Sequence, residues 1–415
     1  MRKLAVLSMH TSPLAQPGTG DGGGMNVYVR ELATALARSG VHCDVYTRTE
    51  RRDQAERVVV EPGLVVHHVP AGPRALVPKA GLHRLVDEFA ERVGAAMATD
   101  PDGPPDAIHA NYWLSGLAGH VLKHRLDLPL VSTFHTLDRV KAEASPEDVD
   151  HEEPERRARA EAAVIGCSDL VLASCTVELD QLVELYGADP GRVAIVPPGV
   201  DHAFFSPGDQ TQARRALRLA PERPLVLAVG RIQPLKGLTV ALRALAALPA
   251  LGIPDARLVV VGGPSGPEGE AERGRLVELA RILGLEDAVS FVPPQPHELL
   301  STWYRAADCC VVPSRSESFG LVALEAAACG IPVVASAVGG LTTLVAHGET
   351  GYVVDRGDVP GFARSLATVL GDRLHAAGLG SAAAERARRY TWPLAAAGLL
   401  ERYAHLTERA LVTCA

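Results

Sequence analysis

Short runs of valine, leucine and isoleucine recur along this chain without the polar alternation of a half-exposed strand. KLAVLS, VHCDVYT, VVVEPGLVVHHV, DAIHA, PLVSTFH and LVLAS mark the first half. PLVLAVGR, ARLVVVGG, VSFVPP, CCVVPS and PVVAS mark the second. Such runs suit parallel strands covered on both faces. Between them lie stretches with helical spacing, as in Asn26–Arg38, where Val29, Leu32, Ala33 and Leu36 share one side. Strand and helix alternating throughout specify doubly wound α/β units. With 415 residues, 47% of them hydrophobic, the chain is expected to form two such units. The break is placed in VPPGVDHAFFSPGDQ, residues 196–210, where Pro, Gly and Asp concentrate. No tandem repeat or low-complexity tail is present, and the charged stretch Glu143–Arg159 reads as an exposed helix start.

Open α/β sheets bind ligands beyond the C-terminal ends of their strands, so two such domains facing each other would share one cleft. Net charge is −8 with no long basic block, which argues against nucleic acid and anionic membranes as partners. A small anion remains compatible, because a few local cations suffice to hold it. The start MRKLAVLSMH is too short in its apolar run for a signal peptide, and no apolar stretch of about 18 residues exists to span a membrane. Seven cysteines form no C-x-x-C pair, and Cys309 and Cys310 read as core residues. That scattered, odd count suits a reducing cytoplasm better than a disulfide scaffold.

Residues 18–28, GTGDGGGMNVY, place five glycines between a strand and a helix start. Backbone amides and the helix dipole can meet an anion there, and glycine lets backbone come close. Gly23 and Gly24 are therefore donor-side candidates. The register is neither G-x-G-x-x-G nor a phosphate loop ending in Gly-Lys, which argues against a dinucleotide-dependent dehydrogenase. The plainer alternative is a mobile loop.

In VGRIQPLKG, Arg231 and Lys236 follow a strand directly, a pair of fixed cations suited to a diphosphate. In SRSESFGLVALEAAACG, Glu317 falls in a loop, and a helix is expected to begin near Ser318, exposing the amides of Ser318, Phe319 and Gly320. Glu325 lies two turns along. Each carboxylate can accept hydroxyl donors from a diol. The alternatives are solvated cations, a carboxylate at a helix start, and a surface charge.

Arg-x4-Lys followed by E-x7-E within S-E-S-F-G-L-V-x-L-E-A resembles the retaining glycosyltransferases of family four. The likeness implies a GT-B fold of two Rossmann-like domains around a nucleotide-sugar cleft. It implies that YTWPLAAAGLLERY crosses back, so that 1–198 plus 391–415 form the acceptor domain and 199–390 the nucleotide-sugar domain. SMHTSPLAQPGTGDGGGMNVYVREL, HANYWLSG, FHTLDRVK and GGPSG are similar to the branch of that family acting in mycothiol biosynthesis. That branch moves N-acetylglucosamine from UDP-N-acetylglucosamine to 1D-myo-inositol 3-phosphate, with no cofactor and no metal in catalysis.

By this resemblance, Asn26, Lys79, Tyr112, Thr136 and Arg157 bind the acceptor, with Arg156 as the alternative to Arg157. Two cations and two hydroxyl donors make chemical sense of a phosphate pocket. His135 is implied to lie beside the donor sugar. His135, Arg231, Lys236 and Glu317 would form the catalytic set, and Gln295, Ser318, Phe319, Gly320 and Glu325 would join in donor binding. The resemblance also implies a cytoplasmic enzyme and allows a homodimer. FVPPQPHEL carries Gln295 and His297 where some members have an arginine near the base, Thr342 replaces a frequent proline, and AEASPEDVDHEEPERRAR is unfamiliar. UDP against GDP, and inositol phosphate against another sugar phosphate or a thiol such as ergothioneine, stay open at this level. A non-catalytic nucleotide-sugar sensor is opposed by the intact Lys236, Glu317 and His135.

Overall fold

A computed structural model describes residues 1–144, 155–266, 268–406 and 410–414. Most of the charged stretch centred on residue 150 therefore lies outside the described residues. The chain divides into two compact units, one of Met1–Ala15, Met25–Gly199 and Trp392–Ala415, the other of Gln16–Gly24 and Val200–Thr391. The glycine loop thus groups with the C-terminal half of the sequence.

In the first unit the strands are β1 (Lys3–Leu7), β2 (His42–Arg48), β3 (Arg57–Glu61), β4 (Leu64–Val69), β5 (Ala107–Asn111), β6 (Leu130–Thr133), β7 (Leu170–Ala173) and β8 (Val193–Ile195). They form one sheet in the order β3-β4-β2-β1-β5-β6-β7-β8. All neighbours are parallel except β3 and β4. The run VVVEPGLVVHHV is two strands and not one. Gly63, at φ +83°, turns the chain back after Pro62, and β3 ends as a half-exposed edge. The strand β8 was not expected; its three residues are too short and too exposed to stand out as an apolar run.

The second unit holds β9 (Leu225–Val229), β10 (Arg257–Val261), β11 (Val289–Val292), β12 (Cys309–Val312), β13 (Val333–Ser336) and β14 (Gly351–Val354). Their order, β11-β10-β9-β12-β13-β14, is all parallel. Counted from β9 this is 3-2-1-4-5-6, the dinucleotide-fold order, and it reverses between β9 and β12. In the first sheet the order reverses in the same way between β1 and β5. Each reversal leaves a crevice at the strand C-termini, where the connections on either side run in opposite directions.

Burial follows the sequence pattern. β1 and β5 are covered on both faces, and the helix Gly24–Arg38 buries Val29, Leu32, Ala33 and Leu36. Phe89 and Val93 of the helix Val86–Ala98 are fully buried, and truncating Phe89 to alanine should cost about 3–5 kcal/mol. The closing helix Trp392–Leu406 belongs to the first unit, burying Trp392, Leu399 and Tyr403 and setting Trp392 edge-on to Tyr28 at 5.9 Å. Among the described residues, no helix is long and apolar enough to cross a membrane.

Cys309 and Cys310 are core residues, as expected, and Cys43, Cys175 and Cys329 are buried thiols too. The reading of seven scattered thiols fails at one pair. Cys167 and Cys414 are 247 positions apart, yet their Cα atoms lie 5.2 Å apart and their sulfurs are joined.

Candidate functional site

In the first unit the candidate acceptor residues collect at the C-terminal ends of β1, β5 and β6. Tyr112 follows β5 with φ +76° and ψ 155°, a backbone region that is essentially glycine-only and costs a side chain about 1–3 kcal/mol. Its N–H donates to the Thr133 carbonyl at 2.7 Å, and its own carbonyl accepts from Gly116 at 2.9 Å. The strained backbone is thus pinned at both ends, with the ring set among cations. Lys79 Nζ lies 4.6 Å from the ring centroid and the Arg157 guanidinium carbon 4.9 Å. The His10 ring is tilted against it at 4.4 Å.

Arg157 is held in place from several sides. It donates to Glu161 at 2.8 Å and to both the carbonyl and the hydroxyl oxygen of Thr136, at 2.7 and 2.9 Å. Glu161 is fully buried and also accepts from the Asp138 N–H and the Tyr186 hydroxyl. Burial opposes charge on Arg157, but Tyr112, Glu161 and Asp138 hold its pKa above the ordinary value. Burial likewise opposes ionisation of Tyr112, yet Arg157 and Lys79 draw the phenol below its usual range. The pocket therefore carries a positive field. Of the two arginines left open by the sequence, Arg157 joins Tyr112 and Thr136, whereas Arg156 reaches the His83 ring at 3.3 Å.

Asn26 lies in the first turn of its helix and braces the neighbouring turn. Its amide donates to the Thr11 hydroxyl at 2.8 Å and the Ser12 carbonyl at 2.6 Å. His135 follows β6 with φ +63°. Burial, and then His109, depress its pKa to about 3, so the ring is neutral. Its Nε2 is 2.9 Å from Asn111 Oδ1, a contact that assigns the proton to Nε2 and makes Nδ1 the acceptor.

In the second unit the donor candidates ring the ends of β9 to β12. Gly230, Arg231, Lys236, Ser314 and Glu317 line one cavity. Lys236 Nζ pairs with Glu317 Oε2 at 2.7 Å, and the Ser314 hydroxyl donates to the same oxygen at 3.3 Å. Gly237, at φ +62°, closes the turn after Lys236; a Cβ there would sit 2.1 Å from the Pro313 carbonyl oxygen. The glycine loop lies along this wall. Arg231 donates weakly to the Asp21 carbonyl at 3.5 Å, the Ser265 hydroxyl donates to the Gly20 carbonyl, and Gln16 reaches the Pro294 carbonyl at 3.4 Å. A Cβ on Gly23 would meet Arg231 Nε at 3.2 Å, and one on Gly24 would meet Leu321 at 3.4 Å. Close approach to the guanidinium is therefore the constraint at Gly23, whereas the positive-φ positions of the loop are Gly18 and Gly20.

The helix expected near Ser318 begins instead at Leu321, because Gly320 adopts φ +102°. Ser318 and Phe319 form a loop pinned by the Gly340 N–H, which donates to the carbonyls of Glu317 and Ser318. Phe319 is buried against Tyr390 at 5.7 Å. Glu325 is buried and is not a surface charge. His297 lies 2.7 Å from Oε1, and the Tyr304 hydroxyl donates to Oε2 at 2.8 Å. Gln295 donates to the Pro293 carbonyl at 2.8 Å.

Several supporting residues were not read from the sequence. Arg48, buried at the end of β2, donates to the carbonyls of Thr49, Pro73 and Ala75 and so fixes the loop that leads to Lys79. His10, Ser265, Gly339 and Gly340 brace the two sites. Glu161, by contrast, was legible through its four-residue spacing from Arg157, which favoured Arg157 over Arg156.

Comparison with known proteins gives the family of the whole chain. Residues 23–199 match the glycosyl transferase 4-like domain, and residues 209–386 match the glycosyl transferases group 1 family. The chain is 46% identical to D-inositol 3-phosphate glycosyltransferase of Acidothermus cellulolyticus, over 97% of this chain and 90% of that protein. It is 47% identical to the protein of that name from Mycolicibacterium smegmatis, over 97% and 91% of the two chains. Sucrose-phosphate synthase from Thermosynechococcus elongatus superposes with a TM-score of 0.90 at 34% identity, covering 98% of this chain and 100% of that one. Anabaena HepE in complex with UDP and glucose shares the fold with a TM-score of 0.77 at 21% identity, covering 98% and 100%. With two Rossmann-like units, a matching pair of domain families and relatives of this identity over nearly its whole length, the chain belongs to the group 1, GT-B glycosyltransferases, in the family of the D-inositol 3-phosphate glycosyltransferases.

Proposed function

We propose that this chain transfers N-acetylglucosamine from UDP-N-acetylglucosamine to 1D-myo-inositol 3-phosphate, with retention of configuration and no catalytic metal. The observation that carries the acceptor is the grouping of Lys79, Arg157, Tyr112 and Thr136 at the ends of β5 and β6. Two cations and two hydroxyls around one point suit a phosphate monoester far better than a neutral polyol. The names of the relatives support the same acceptor.

On this reading, Arg231 and Lys236 stabilise the diphosphate as negative charge develops on the departing oxygen. Glu317, already paired with Lys236, orients that ammonium and accepts a sugar hydroxyl. His135 is too acidic as an imidazolium to hold a proton near neutral pH, so it serves as a neutral hydrogen-bond partner to the sugar and not as a general base. The acceptor hydroxyl attacks on the face that the diphosphate leaves, and its proton passes to the leaving phosphate oxygen. Two fixed cations supply the charge a metal would otherwise bring.

Incubation with UDP-N-acetylglucosamine and inositol 3-phosphate, followed by mass spectrometry and proton NMR, tests the proposal. The expected product is an α-linked N-acetylglucosaminyl-inositol phosphate. A β-linked product, or none with this pair while a GDP-sugar reacts, would contradict it.

A further inference from the structure

The joined sulfurs of Cys167 and Cys414 have two imidazoles beside them that a disulfide leaves without a role. His120 and His124 lie one turn apart on the helix Trp113–Leu126, their rings 5.0 Å apart. His124 Nε2 is 3.3 Å from Cys167 Sγ and 3.1 Å from Cys414 Sγ. One ligand atom from each of the four residues lies within 4.8 Å of the other three. A tetrahedral zinc ion, with Zn–S near 2.3 Å and Zn–N near 2.0 Å, needs sulfur and nitrogen ligands about 3.5 Å apart. H-x3-H on one helix face is a spacing that lets two imidazoles share a metal.

The surroundings are rigid on the ligand side. Lys123, between the two histidines, makes a buried 2.7 Å ion pair with Asp169 and donates to the Cys167 carbonyl at 2.8 Å. Asp169 also accepts from the Leu130 N–H and, through its other oxygen, from the Val412 N–H at 2.7 Å. One carboxylate therefore ties the histidine helix, the Cys167 turn and the segment carrying Cys414. All of these elements belong to the first unit.

We propose that, with both thiols reduced, His120, His124, Cys167 and Cys414 bind one Zn²⁺ as a structural site, remote in role from the transfer chemistry, that fastens residues 410–414 to the corner between β6 and β7. Both thiols release their protons to solvent on binding. Two thiolates and two neutral imidazoles then balance the charge of the ion. Thiolate and imidazole ligands in a tetrahedral set select zinc over magnesium or calcium, which prefer oxygen.

The test is metal analysis of full-length protein purified with a phosphine reductant, alongside the double variant His120→Ala/His124→Ala. The prediction is about one zinc per wild-type chain and less than about a tenth in the double variant. Cobalt(II) loading of the wild type should give tetrahedral bands and a thiolate charge-transfer band, which checks the site should the variant fold poorly. Wild type without zinc and without the cobalt spectrum, although all seven cysteines titrate as thiols in denaturant, overturns the proposal. So does zinc retained in a folded double variant, or a sulfur pair that stays oxidised under the reductant.

Discussion

Replacing Lys79 with methionine keeps the length of the side chain and removes its charge. Lys79 Nζ stands 4.6 Å from the Tyr112 ring centroid, and Arg157 faces the same ring at 4.9 Å, so the variant keeps one of two cations. A hydrogen bond to a charged group contributes about 1.5–3 kcal/mol. At about 1.4 kcal/mol per decade, KM for inositol 3-phosphate should rise ten- to a hundredfold. KM for UDP-N-acetylglucosamine should change little, because Lys79 lies in the first unit and the Arg231–Lys236 cavity in the second. Tyr112 should become less acidic, since burial would then be opposed by Arg157 without Lys79. The assay is initial rates against each substrate with the other saturating, repeated with free inositol. Free inositol has no phosphate to lose contact with, so its turnover, expected to be slow in the wild type, should be nearly unaffected. An equal loss on both acceptors, or a donor KM that rises as much as the acceptor KM, would refute the phosphate pocket. A Lys79→Met/Arg157→Met double variant should be non-additive, because both cations face the same ring and hold the same phosphate.

Lys236→Ala should lower turnover by about two to three orders of magnitude and weaken UDP far more than uridine; near-normal turnover would contradict its place on the diphosphate. Brief treatment with EDTA should leave transfer intact and added magnesium should not raise it; loss on chelation that magnesium or manganese restores would show a catalytic metal. Burial depresses the pKa of His109 to about 3, and burial with His109 does the same for His135. The unfolded chain takes up protons below about pH 6.5 while these native rings do not, so stability is present above that pH and is lost as pH falls toward 3. By pH 5 the loss is about 2 kcal/mol per histidine, and His109→Gln should flatten the fall in denaturant midpoint; an unchanged slope would refute it.

The parallel strands were legible because a strand covered on both faces must be a run of apolar residues. β8 and β14 were not, being three and four residues long and only partly buried. The turn inside VVVEPGLVVHHV was signalled by its Pro-Gly pair, but apolar continuity masked it. Within the site, Arg231, Lys236 and Glu317 could be read because each lies in the segment that leaves the C-terminal end of an apolar strand, β9 for the two cations and β12 for the carboxylate. Arg48 and His10 could not, since their roles rest on neighbours distant in sequence. The helix start at Leu321 turned on one backbone angle at Gly320. The one-turn spacing of His120 and His124 was not read as a metal pair, because the two cysteines that give it meaning lie 247 residues apart.

The most direct test of the account is the ratio of kcat/KM for inositol 3-phosphate to that for inositol, measured on the wild type with UDP-N-acetylglucosamine and with ergothioneine as a third acceptor. The pocket of Lys79, Arg157, Tyr112 and Thr136 predicts a ratio of about a hundred or more, two charge-assisted contacts each contributing about a decade. Ergothioneine should give no appreciable transfer. Equal use of inositol and its phosphate, or a thiol better than either, would contradict it.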